Sequence, residues 1–187
     1  MRAWIFRGLV LVAIGWLLYS WFMPLWGLDI AQLRPDAIMV RPWGVELFLG
    51  PDAPNINIPA MPVFFAPLMW TYLGISVVLL LSSLLVREKV FSLGRLRLSL
   101  PQAIIGGVGF VHLIFAAVTT IMIMINLGGF QLGGVTTPLQ GTVVLDLGYP
   151  YVSEATSSLR LGYWLAWGVG TFLIVLALLR NKIIGNR

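Results

Sequence analysis

The sequence predicts an all-α membrane protein: a four-transmembrane-helix bundle with a small β-containing extracytoplasmic cap contributed by the two outer loops. Three observations carry that expectation. Of 187 residues, 59% are hydrophobic and only 10% charged, against about a quarter charged in an ordinary soluble domain. The apolar residues are gathered into four blocks, each near the ~20 residues a helix needs to cross about 30 Å of hydrocarbon. The basic residues, finally, gather at alternate ends of those blocks.

The blocks are residues 5–26, 63–86, 102–127 and 161–179, joined by outer loops 27–62 and 128–160 and an inner loop 87–101. Together they account for most of the chain, so a single membrane domain, 1–187, is expected. The first block follows Arg2 and Arg7, and its end, Tyr19-Ser20-Trp21-Phe22-Met23, lacks the small-x-small pattern that a signal peptidase cuts. An uncleaved anchor is therefore expected.

Orientation follows from the positive-inside rule, which counts Lys and Arg beside spans in short loops. With the N-terminus inside, Arg2, Arg7, Arg87, Lys89, Arg95, Arg97, Arg180, Lys182 and Arg187 are cytoplasmic, and only Arg34, Arg41 and Arg160 lie outside. The expected location is thus the cell membrane, multi-pass, with both termini cytoplasmic. Trp21, Trp26, Trp70, Tyr72, Tyr163, Trp164 and Trp167 fall toward the outer boundary and Trp4 toward the inner one, where amphipathic rings favour the headgroup layer. A net charge of +5 does not indicate nucleic acid, because the basic residues flank apolar spans rather than cluster on a soluble face.

The outer loops contain strand-like runs. Residues 37–41 and 45–50 flank a break at Pro42-Trp43-Gly44, and residues 141–148 form a third run. Two short β-capable runs around a Pro/Gly break predict a hairpin with Pro42 at the bend or at an edge, and three strands suffice for one small sheet. The proline-spaced segment 51–62 predicts an extended connector or gripping surface. Trp43, Phe48, Pro54, Ile56, Ile58, Val143 and Leu145 are the candidate partner contacts; the alternative role for these loops is to cap the helices.

Helices in lipid associate through small residues that let backbones approach. Gly162, Ala166 and Gly170 recur at four-residue spacing, and Gly106, Gly107, Gly109, Ala116, Ala117 and Thr120 make a second smooth surface. These faces are expected to meet each other or to seat partner helices.

Chemistry is sparse. Cysteine is absent and there is one histidine, which excludes within this chain a cysteine nucleophile, a thiolate metal site and a zinc site built from several histidine or cysteine ligands. Gly106-Gly107-Val108-Gly109 lacks the Lys-Ser/Thr of a phosphate loop and falls within a span. His112 is the candidate cofactor contact, as a haem ligand or a quinone neighbour, since ionisable groups within a membrane are costly and often functional. Met122 and Met124 lie about three turns along the same helix and cannot share one metal with it. Its alternative is a neutral core histidine bonded to Ser76, Ser82 or Ser83. No cofactor and no metal site is expected otherwise.

Four spans, inward termini and a larger first outer loop with strand-like segments resemble the layout of claudin-like tetraspan proteins. Those proteins carry Gly-Leu-Trp followed by paired cysteines, whereas this chain has Leu25-Trp26-Gly27 and no cysteine. No residue role is carried over.

These features together predict a non-enzymatic membrane subunit that scaffolds or assembles a larger complex through its helix faces and outer loops. Its partners would be the lipid bilayer and other membrane subunits or further copies of itself. The alternative is a small quinone- or haem-associated subunit of a membrane redox enzyme. A transporter or channel component is weaker, because Ser76, Thr119, Thr120 and Asn126 are too scattered to outline a polar path.

Overall fold

A computed structural model describes residues 2–31, 34–48, 56–57, 62–86, 90–93, 96–127, 131–132, 135–146 and 152–184. Among them are four helices, α1 (Arg2–Phe22), α2 (Phe65–Leu85), α3 (Leu100–Leu127) and α4 (Leu161–Ile184), each long and apolar enough to cross a membrane. The shortest, at 21 residues, extends about 31 Å at 1.5 Å per residue. The chain divides into two compact units, residues 1–20, 70–116 and 165–187, and residues 21–69 and 117–164.

In the first unit the helices pack through the small residues singled out above. A Cβ at Gly109 would lie 2.8 Å from the Leu173 Cβ and 2.9 Å from the Gly170 carbonyl oxygen, and one at Gly170 would lie 2.7 Å from Leu113. The α3 and α4 backbones therefore approach as closely as a missing side chain allows. Gly106 stands opposite Ala177, while Ala116 and Ala166 are both buried. On α1, Trp16 lies over Gly168 and against Phe172, with ring centroids 5.8 Å apart.

The end of this unit at which α3 starts is fastened by polar groups. Ser99 and Gln102 form half of a capping box at the start of α3: the Ser99 amide donates to Gln102 Oε1 at 2.9 Å, satisfying a group that a helix start otherwise strands. Gln102 Nε2 donates to the Ala177 carbonyl, Arg180 donates to the Ser99 hydroxyl at 2.8 Å, and the Arg180 guanidinium lies over the Phe6 ring. The expected inner loop is in part a hairpin, β5 (Val90–Leu93) with β6 (Leu96–Ser99).

The second unit is built on a five-stranded antiparallel sheet of order β3-β2-β1-β10-β9. Its strands are β1 (Trp26–Ile30), β2 (Arg34–Arg41), β3 (Gly44–Leu47), β9 (Gly141–Asp146) and β10 (Val152–Leu159). A smaller sheet joins β4 (Ile56–Asn57), β7 (Gln131–Leu132) and β8 (Val135–Thr136).

The three expected runs become β2, β3 and β9, with Pro42-Trp43 forming the two-residue turn between β2 and β3. Two further strands of the larger sheet, β1 and β10, were not expected. The first span is expected to run to Trp26, with residues 27–30 opening the outer loop, but α1 stops at Phe22, because Pro24 supplies no N–H and disfavours helix at the residue before it. Beyond it Trp26, Leu28 and Ile30 are buried and alternate with Gly27 and Asp29, a strand period hidden at the end of a longer apolar block. In β10, Ser153, Ala155 and Ser157 face inward, too small and polar to announce a buried face. β-structure is consequently a larger part of this chain than a small cap on an all-α protein implies.

The sheet's apolar face comprises Trp26, Leu28, Ile30, Ala37, Ile38, Leu145 and Ala155, packed against Ile123 of α3. The Trp26 indole donates to the Leu139 carbonyl at 2.8 Å, so this ring serves the sheet core rather than the aromatic belt assigned to it. Ser157 likewise uses its hydroxyl on the Pro138 carbonyl.

The close approach at Gly109 yields a direct prediction. Gly109→Ala is expected to destabilise the protein by about 1–3 kcal/mol, as overpacking of a tight contact does, whereas Gly107→Ala, with open space at its Cβ, leaves stability unchanged or slightly raised. Equilibrium unfolding of both variants in detergent measures the contrast.

Candidate functional site

Two groups of residues could carry function: a polar aromatic cluster on α2 and α3, and the charged face of the five-stranded sheet. His112 is 1% exposed. Its Nδ1 is 3.0 Å from the Tyr72 hydroxyl, and the two rings stack at 6.3 Å with Phe115 beside both. Ser76, one turn along α2, hydrogen-bonds the same phenol.

The histidine partner is therefore Tyr72, a residue read from sequence only as part of the outer aromatic belt. Ser82 and Ser83 turn back to the Leu79 and Leu80 carbonyls of their own helix, the local bond that serine commonly makes in helices. Nε2 of His112 is buried and has no hydrogen-bond partner among the described residues. Met122 and Met124 are about half exposed.

On the opposite face of the sheet from its core, Gly27 and Asp29 of β1 lie beneath Arg160, the residue between β10 and α4. Arg160 donates to Asp29 at 2.6 Å and pairs with Asp36 at 3.1 Å. Because Gly27 has no side chain, the guanidinium can lie flat: a Cβ there would be 2.6 Å from Arg160 Nε. Asp36 adopts φ 53°, a left-handed conformation that aspartate tolerates better than most residues, and its amide donates to Asp29 Oδ1 at 2.7 Å.

Burial pushes the Asp29 carboxyl up, but the hydrogen bonds from Arg160 and the Asp36 amide, with the guanidinium charge, outweigh it. The group is held below its ordinary value of 3.8. A second pair, Arg41 with Glu46 at 2.7 Å, ties β2 to β3, while Arg41 also donates to the Phe22 carbonyl.

The candidate partner contacts fall in different places. Trp43 is half-buried at the β2–β3 turn, edge-on to Phe22 and under Arg41. Phe48 is 36% exposed beneath Arg34. Val143 packs against the sheet core and Leu145 is wholly buried within it, so Leu145 as placed supports the sheet and offers nothing to a partner. Ile56 falls in β4, and Pro54 and Ile58 lie outside the described residues. Gly162 lies against the main chain of Met23 and Pro24 and donates its amide to the Pro24 carbonyl at 3.0 Å, so it packs on the α1 exit rather than on a helix face.

The residues of β9 that face outward are Thr142 and Val144, the latter 59% exposed. The inward-facing Val143 and Leu145 look like contacts in the sequence because hydrophobicity alone does not say which face of a uniformly apolar run is covered. Strict alternation from the outward Thr142 is the signal that distinguishes them.

No protein family, no curated protein and no solved structure matches this chain. The likeness to claudin-like proteins is one of layout alone.

The lowered Asp29 carboxyl fixes the sign of a pH effect. A group whose folded pKa lies below its unfolded value adds stability above the unfolded value and loses it as pH falls through the folded one. Stability is expected to fall as pH drops below about 4, and Asp29→Asn to flatten that acid limb; the half-exposed ion pair limits the effect to about 1 kcal/mol. Unfolding midpoints from pH 7 to pH 2.5 read it out. Tyr72→Phe is expected to cost about 0.6–1.7 kcal/mol, the range of hydrogen bonds between membrane helices, in the same unfolding assay.

Proposed function

We propose that this chain is an integral membrane subunit without catalytic activity of its own, crossing the cell membrane four times with both termini cytoplasmic, and that it assembles membrane complexes. The observation that carries this reading is the five-stranded sheet drawn from both inter-helix segments. Strands from one segment alone would cap a helix pair; interleaving the two builds a single sheet whose edge strands, β3 and β9, pair with no further strand among the described residues. A sheet edge of this kind is a template for pairing with another chain.

The charge distribution supports the orientation. Nine of the 12 basic residues flank the spans on the side assigned to the cytoplasm, and the Arg160–Asp29–Asp36 and Arg41–Glu46 groups belong to the side assigned outward. The chemistry of the chain supports the absence of catalysis: with one histidine and no cysteine, it holds few groups able to act as base, nucleophile or soft metal ligand.

The buried Nε2 of His112 favours a second reading, a small subunit of a membrane redox enzyme in which the Tyr72–His112–Phe115 cluster borders a quinone or haem. An absorbance spectrum of the purified complex separates the two. A haem or quinone signal lost in His112→Ala supports the redox reading; its absence, with electron transfer intact in the variant, excludes it.

The assembly reading predicts that extraction in a mild detergent, followed by sizing and identification of copurifying chains, returns a defined complex larger than one chain in its micelle. A monodisperse monomer with nothing bound would contradict it.

A further inference from the structure

We infer that β9 is a self-association edge, through which two copies of this chain join their sheets by antiparallel β9–β9 pairing. The inference rests on the assembly reading and names one partner for it, a second copy.

The direction of the main-chain groups comes first. The Ala31 amide donates to the Glu154 carbonyl at 2.9 Å, so Glu154 turns its main-chain groups toward β1. Alternation along an antiparallel strand then turns those of Ser153, Ala155 and Ser157 toward β9, where their register partners are Leu145, Val143 and Gly141. Thr142, Val144 and Asp146 are left with N–H and C=O directed away from β10. Among the described residues no strand pairs with them.

Such an edge is usually blunted by lysine, proline, a bulge or shortness. β3, the opposite edge, is only four residues long. β9 has six residues in unbroken register with β10, with neither lysine nor proline, and Val144 at its middle is 59% exposed.

The sequence of β9 is complementary to itself. Centring an antiparallel pair on Val144 places Val144 opposite its copy and Thr142 opposite Asp146 in both directions, so every outward N–H and C=O meets a partner. On the other face Val143 falls in register with Leu145, each side chain staying within the apolar core of its own sheet. The two-fold axis of this arrangement is perpendicular to the sheet. Both copies thus keep their core faces on the same side of the joined sheet.

The absence of native cysteine makes the test clean. In an antiparallel hydrogen-bonded pair the facing Cα atoms are about 5.5 Å apart, within disulfide reach, so Val144→Cys in the full chain in its membrane is expected to form a dimer under mild oxidation. Glu154→Cys, three strand spacings or about 14 Å from its own copy, is expected to stay largely monomeric. Val144→Pro removes one outward N–H and leaves the β9–β10 bonds intact, and is expected to lower the dimer fraction in sizing at least tenfold.

Equal cross-linking at 144 and 154, no cross-linking at 144, or an undiminished dimer in Val144→Pro overturns the inference. Other chains copurifying without a 144 cross-link would overturn it and leave the assembly reading standing. A 144 cross-link with no other chain bound upholds it and narrows that reading to self-assembly.

Discussion

The β1–β10 ladder is the interaction on which the sheet depends. Its five consecutive pairs, from Trp26 with Leu159 to Ile30 with Ala155, are the only described pairing within the larger sheet that joins the segment after α1 to the segment before α4. Without it β1, β2 and β3 would be one three-stranded fragment and β9 and β10 an isolated hairpin, which is marginal by itself. The ladder also sets both faces. Leu28 meets Ser157 on the core side, where a small hydroxyl leaves room for leucine, while Asp29 meets Thr156 on the other. Arg160, one residue past the ladder, then reaches back across Gly27 to Asp29. One register thereby fixes the apolar core, the ion-pair cluster and the direction in which β9 presents its edge.

What could be read from the sequence, and what could not, follows from the periods involved. Helix-length apolar blocks are unmistakable, and α2, α3 and α4 begin and end within a few residues of where they were expected. The hairpin about Pro42-Trp43 was also legible, because a rigid bend between two β-branched runs has few alternatives. β1 was not, since Trp26, Leu28 and Ile30 continue an apolar run whose true boundary is set by Pro24. β10 was hidden for the opposite reason, its inward residues being serine and alanine. Ser99-x-x-Gln102 was a readable capping box that went unread beside the apolar signal of the helix it starts.

The histidine shows the same limit at the level of a site. Sequence located His112 within an apolar helix and pointed to α2 for its partner, but the candidates weighed there were serines. The structure supplies Tyr72 from that helix instead, because tyrosine spans the distance that a serine hydroxyl, committed to its own backbone, does not. Small-residue spacing was more informative on α3 than on α4. Gly109 and Gly170 meet as their spacing suggests, yet Gly162 answers to the Met23-Pro24 turn, a contact that no helical period encodes.

The proposed topology joins these features: it segregates the basic residues to one side of the spans and assigns the sheet drawn from both longer segments to the other. Labelling of single introduced cysteines with a membrane-impermeant maleimide in intact cells tests it most directly, as the chain has none of its own. Thr156→Cys on the exposed face of β10 and Lys182→Cys near the end of α4 are both at exposed positions. The account predicts that the first is labelled in intact cells and the second only after permeabilisation. Labelling of position 182 from outside, or protection of position 156 until permeabilisation, would contradict it.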